Sequence, residues 1–249
     1  AVRLIPSAVA GAAGLPEQTP FAYRFGLATV AIVVLLSLPP LLRLHELAGT
    51  VAPRRGSGEP PARTPWLALT WLSVPLLIFG FTGGLTFPFY NLFFRETFDV
   101  PDRLVGIILS CGWLGMALVP LADPWWERRW GRAGALGVTM SVAGAAFFGL
   151  SLAPTLGLGV ICYVIGISFR NVMQPLFQPL MMDTLPPGLH NVASSVGILL
   201  WNIGWFSATA ISGIWQERYG FGMIMQVVAV GALLNALSIV AIFRRRPRY

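Results

Sequence analysis

Lysine is absent from this chain, and charged residues of every kind make up only 11% of its 249 residues. Soluble domains carry about 25% charged residues, so a chain of mean hydropathy +0.70 lacks the means to clothe a water-facing surface. Most of it must be solvated by lipid. The missing lysine excludes a retinal Schiff base. There are two cysteines, Cys111 and Cys162, each inside an apolar run, where they read as small buried residues and not as a disulfide or a metal site. The two histidines, His45 and His190, fall near water, and His45-Glu46 followed by Leu-Ala-Gly is half a zinc-protease motif without its second histidine. No metal or cofactor is therefore expected. The net charge of +7 comes from arginines gathered in loops and in the C-terminal tail, which excludes a nucleic-acid face and suits a membrane surface.

What the chain has in abundance is apolar length. Stretches of about 20 apolar residues suffice to cross a bilayer, and seven complete spans are predicted: Phe21–Leu42, Trp66–Phe94, Leu104–Ala122, Ala133–Ala153, Gly157–Met181, His190–Ile214 and Phe221–Phe243. Residues 1–15 are apolar but would rise only about 22 Å, and Pro6 argues against a signal peptide, so they read as the severed end of a span and the chain as a fragment. Eleven arginines (Arg43, Arg54, Arg55, Arg63, Arg128, Arg129, Arg132, Arg244, Arg245, Arg246 and Arg248) fall on one side and four on the other, which predicts a cytoplasmic C-terminus in the cell membrane. The expected divisions are 1–43 (a truncated helix and a complete one), a Pro/Gly/Arg-rich cytoplasmic linker over 44–65, a six-helix bundle over 66–243, and a basic tail over 244–249.

Within the six-helix stretch, spans begin near 66, 104 and 133 and again near 157, 190 and 221. Pro88 answers Pro179, and Arg129-Trp130-Gly131 answers Arg218-Tyr219-Gly220 at the equivalent junction. Three spans are thus repeated, over 66–153 and 157–243. An odd number of crossings turns the second unit upside down relative to the first, the plan of secondary transporters. The leading helix of each unit is the interrupted one, with Gly80, Gly83, Gly84 and Pro88 in one and Gly166, Pro175 and Pro179 in the other.

The span 157–181 carries Arg170, Asn171, Gln174 and Gln178 within about a third of the helix circumference. A guanidinium at mid-bilayer costs roughly 3 kcal/mol on insertion scales, so it requires a watery cavity or a partner. Either Arg170 lines a route, or it is a structural residue tied to carbonyls of neighbouring helices. Tyr90, Asn91 and Asn202, with Trp201 and Trp205, are further candidates for the same lining, although Asn202 and the tryptophans equally suit interhelical packing.

With this architecture, the chain resembles the C-terminal half of a major facilitator superfamily transporter preceded by the sixth helix and the end of the fifth. The segment Leu121-Ala122-Asp123-Pro124-Trp125-Trp126-Glu127-Arg128-Arg129-Trp130-Gly131-Arg132 is similar to the acidic, glycine and basic loop between the second and third helices of each half. The resemblance implies an all-α integral membrane bundle of two inverted three-helix repeats. It implies a cytoplasmic gate in which the loop's carboxylate and Arg128, Arg129 and Arg132 pair with helix ends in one conformation, although a plain positive-inside loop accounts equally for the arginines. Here the spacing from Asp123 to Gly131 is longer than the family pattern, so either Asp123 or Glu127 can be the acidic member.

No Asp or Glu falls within the predicted spans. Arg170 would then meet either an anionic group of a small-molecule substrate or a carboxylate on the N-terminal bundle, which would be the site of proton coupling. The lining suits efflux of small amphipathic compounds or passage of a polar or anionic metabolite. A seven-helix receptor is the rival that the span count raises, and an intramembrane enzyme is the other. The first does not require the repeat; the second lacks any nucleophile–base set or paired carboxylates within the spans.

Overall fold

The computed structural model describes residues 65–244, with side chains over 68–243, and three earlier positions, Ala28, Ile32 and Leu35, all helical. The expectations for the rest of 1–64, including the truncated helix, most of the Phe21–Leu42 span, the linker and His45, and for the tail after residue 244, lie outside the described residues. The unit Pro60–Tyr249 contains every helix whose bounds are described. These are α1 (Pro65–Thr86), α2 (Tyr90–Phe98), α3 (Asp102–Leu118), α4 (Asp123–Ser151), α5 (Leu156–Asn171), α6 (Met173–Thr184) and α7 (His190–Arg244), with short 3₁₀ turns between α1 and α2, α3 and α4, and α6 and α7. No strand occurs among the described residues.

Four helical stretches are long and apolar enough to cross a membrane, and two of them, Asp102–Ser151 and Pro187–Phe243, run to 50 and 57 residues. At 1.5 Å per residue each would be more than twice the roughly 30 Å of hydrocarbon, so neither is a single crossing. Each is folded at a glycine: Gly131 (φ 68°, ψ 165°) in α4 and Gly220 (φ 77°, ψ 166°) in α7. That backbone region is closed to residues with a Cβ. The two bends share one geometry at the corresponding place in each triplet, and with them the described chain makes six crossings.

Proline sets the other breaks. Pro88 lies in the 3₁₀ turn Phe87–Phe89 that separates α1 from α2. Pro175 has no N–H to offer the carbonyl of Asn171 and its ring crowds that carbonyl, so the span 157–181, expected to be interrupted, consists of α5 and α6 joined at Val172, which keeps right-handed helical angles (φ −57°, ψ −22°).

Packing exchanges partners between the triplets. The leading helix α1 packs most extensively against α7 of the second triplet, and α5 packs against α3 and α4 of the first. Small residues bring the backbones close, as expected where lipid supplies no hydrophobic drive between helices. A Cβ on Gly80 or Gly84 would overlap the carbonyl of Trp201 or Trp205, and one on Gly204 would lie 2.6 Å from the Leu77 oxygen. At the α3–α5 contact a Cβ on Gly112 would lie 2.5 Å from the hydroxyl of Tyr163. Two apolar clusters fill the interior, one around Phe93, Phe94, Phe147 and Tyr163, the other around Leu72, Leu136, Met173 and Phe177. Hydroxyls inside the helices commonly bond carbonyls one turn back, as Ser73 does to Leu69 and Thr139 to Ala135, which satisfies the donor within its own helix; Ser168, buried in α5 without a partner, is an exception. Cys162 is half-buried, but Cys111 is exposed on the bundle surface, contrary to the expectation of burial; both are free thiols.

Gly80→Val should push α1 off α7, because the atom it meets is backbone and cannot rotate away. A loss of about 1–3 kcal/mol is expected, read as a lowered thermal midpoint of the detergent-solubilised protein, while Gly157→Ala, with nothing within 4 Å of its Cβ, should lower it far less.

Candidate functional site

Arg170 is the last but one residue of α5, and the end of that helix at Val172 points it across to α1. Its side chain is buried, 7% exposed. Nη2 donates to the backbone oxygen of Phe79 and, at 3.4 Å, to the hydroxyl oxygen of Thr82. The Thr82 hydroxyl in turn donates to the Ile78 carbonyl at 2.9 Å, so it can accept from the guanidinium. The guanidinium carbon stands 3.9 Å from the centroid of the Phe79 ring, a cation–π contact that offsets part of its desolvation. Gly83 makes the space: a Cβ there would lie 2.7 Å from Nη2 and 2.7 Å from the Trp205 ring. Arg170 does not face lipid, and among the described residues no carboxylate pairs with it. The alternative role, a residue tied to a neighbouring helix's carbonyl, is the one its bonds display.

The predicted polar stripe does not form one surface, because its members meet different neighbours. Asn171 donates to the Met116 carbonyl at 3.2 Å and so ties α5 to α3. Gln174 and Gln178, on α6, are exposed and line a different space, a pocket of about 220 Å³ shared with Leu76, Ser194, Gly197, Ile198 and Trp201. Gln178 Nε2 donates to Ser194 Oγ at 3.2 Å. Tyr90 is buried, its ring edge-on to Tyr163 at 4.8 Å, and Asn91 is exposed. Asn202 donates to Ile198 in its own helix at 2.8 Å and ties no second helix.

An aromatic chain joins these parts. Trp201 and Trp205 lie 5.2 Å apart, Trp205 is 5.6 Å from Phe87, and Phe87 is 5.5 Å from Trp113, itself 56% exposed. Sequence reasoning did not single out Phe79, Thr82, Phe87, Trp113 or Ser194. Thr82 and Phe79 lie within one turn of the glycines at 80, 83 and 84, which was the available signal; Trp113 and Ser194 had none.

The segment 123–131, the helical start of α4 before its bend, lies between the second and third of the six crossings. Arg132, just past the bend, bonds Glu127 Oε1 through Nε at 2.6 Å and reaches Asp183 at the end of α6 through Nη1. Glu127 is thus the paired acid. Asp123 is buried at the start of α4, with Oδ1 lacking any hydrogen-bond partner. Its burial, and secondarily the charge of Glu127, raise its pKa to about 6. Arg128 and Arg129 are exposed and make no ion pair with any described residue.

A multi-crossing helical bundle with polar and aromatic groups on one face is the class these observations define. The chain belongs to the major facilitator superfamily, whose family model matches residues 4–209. A search of curated proteins found no match for it. Members of the family are membrane transporters of small solutes, and so is this protein.

Because the folded-state pKa of Asp123 lies above the ordinary carboxylate value, the folded form holds its proton longer. Stability should fall as pH rises from about 4 through 6, by on the order of 1 kcal/mol, and stay low above that. Asp123→Asn should flatten this dependence of the thermal midpoint. Arg132→Ala removes both ion pairs at once; as these are half-exposed, a cost of about 1 kcal/mol or less is expected from the same measurement.

Proposed function

We propose that the protein is a secondary active transporter that moves a small solute across the cell membrane by alternating access, coupled to protons. Residues 66–243 form its C-terminal bundle and 1–43 the end of its N-terminal one, with the C-terminus in the cytoplasm. The observation that carries this reading is the exposure of Gln174, Gln178 and Asn91 on helices whose other faces are packed in the protein core. Exposed amides along a span belong against water or a second bundle, and in an alternating-access carrier the two bundles enclose a watery route between them. The aromatic wall of Trp201, Trp205, Phe87 and Trp113 supports a small amphipathic solute, with efflux as the direction. The ties of Arg132 to Glu127 and Asp183 join the 123–131 segment to the end of α6, which supports their role as a gate on the cytoplasmic side, with Arg128 and Arg129 available to ends that come within reach in another state.

The bonds of Arg170 favour a second role within the same mechanism. Its guanidinium clamps α5 to α1 through the Phe79 carbonyl, and uses donors not engaged there for an anionic substrate group or a carboxylate of the other bundle.

Arg170→Gln in the full-length protein should reduce transport to background, whereas Arg170→Lys should retain a small part. Solute flux in proteoliposomes checks this, with size-exclusion profiles confirming that both variants fold. Wild-type flux from Arg170→Gln would refute the clamp and the pairing alike.

A further inference from the structure

We infer that the pocket between α1, α6 and α7 is a binding subsite for an uncharged, ring-bearing group that both donates and accepts hydrogen bonds. The inference rests on the transporter reading and names the chemistry of its solute. Every residue lining this 220 Å³ space is neutral: Leu76, Gln174, Gln178, Ser194, Gly197, Ile198 and Trp201. At the roughly 30 Å³ that one water occupies in the liquid, the volume holds about seven waters, or a single ring with one polar substituent.

The polar groups are arranged for recognition instead of self-satisfaction. The Gln174 amide makes no hydrogen bond to any described residue, so its donors and its acceptor are free for a ligand. Gln178 and Ser194 bond each other at 3.2 Å and leave the Gln178 carbonyl oxygen over. The indole N–H of Trp201 is buried with no hydrogen-bond partner. A buried donor left unmet carries a penalty, and a ligand acceptor that reaches it recovers that penalty as affinity. The Trp201 face supplies a stacking surface, continued by Trp205.

Charge selection comes from the groups that are missing. No ionisable side chain lines the pocket, and Arg170, the cation nearest in sequence, is turned to the Phe79 carbonyl. A carboxylate or an ammonium entering here would lose its hydration with no opposite charge to replace it. Gly197 lets Leu76 of α1 pack directly against α7 at one wall of the pocket: a Cβ there would lie 2.8 Å from Leu76 Cδ1.

Benzamide, benzoate and benzylammonium carry one ring and differ in charge, which makes them a fitting probe set. Binding is read from the ligand dependence of the thermal midpoint of the full-length protein in detergent, at concentrations up to about 10 mM, the range suited to fragments of this size. Benzamide should bind, and the two charged probes should bind at least tenfold more weakly. Gln174→Ala with Gln178→Ala should weaken benzamide about tenfold. Trp201→Phe, which keeps an aromatic ring and loses the N–H, should weaken it about fivefold. Equal or tighter binding of benzoate or benzylammonium, no binding of benzamide, or an unchanged benzamide Kd in Trp201→Phe would overturn the assignment. Trp201→Phe is the milder change, so the test survives even if the double alanine variant does not fold. Solute flux in proteoliposomes is scored separately: binding without flux contradicts the transport reading alone, and flux without binding contradicts this subsite alone.

Discussion

The bundle depends on three side chains that α1 does not have. Gly80, Gly83 and Gly84 let its backbone meet that of α7 at Trp201 and Trp205, and leave a notch into which the Arg170 guanidinium fits. In water, two helices are driven together by their apolar faces. In lipid that drive is absent, and the attraction comes from van der Waals contact and hydrogen bonds, both of which demand close approach. The position of α7 decides where Trp201 and Trp205 stand, and with them the aromatic wall from α7 to α3. The site is thus an outcome of the helix crossing that glycine permits.

The buried guanidinium is the second constraint, and it is met by an assembly from two helices. A carbonyl oxygen, a threonine hydroxyl already committed as donor to its own helix, and the face of a phenylalanine ring surround it. The hydroxyl can accept because its proton goes to Ile78, so the ordinary back-bonding of an intrahelical threonine becomes part of how a charge is held. Apart from this arrangement, the space shared by α1, α6 and α7 is lined by neutral residues, and ion pairs lie at helix ends, where Arg132 joins Glu127 and Asp183 and Arg95 stands 3.8 Å from Asp102. Amides and indoles thus stand along the apolar stretches of the bundle and ion pairs at their ends.

Much of this was legible in the residues themselves. Apolar run lengths gave the crossings, since hydrocarbon thickness fixes how many residues a helix needs, and all six that fall among the described residues are present. The repeated Arg-aromatic-Gly junctions marked Gly131 and Gly220, the two places where the backbone enters a region that glycine alone tolerates. Helical periodicity was a poorer guide to the site. It set Arg170, Asn171, Gln174 and Gln178 on one stripe, but a face does not name the neighbour each side chain meets: Arg170 bonds α1, Asn171 bonds α3, and the two glutamines stay exposed. Burial was misjudged for Cys111 because, in a lipid-solvated helix, apolar neighbours in sequence do not imply protein neighbours in space.

What the sequence by itself determined is that the chain crosses a bilayer repeatedly, in two triplets bent at equivalent glycines, with one arginine that lipid cannot accommodate. These features come from length, composition and backbone stereochemistry, all local to the chain. Only the tertiary structure decided which carbonyl Arg170 meets, which acid Arg132 pairs with, and that the glutamines share a pocket with Ser194 and Trp201. Those partners lie on other helices, with Phe79 separated from Arg170 by 91 positions in the chain and Asp183 from Arg132 by 51. No local rule specifies the crossing geometry that brings them together.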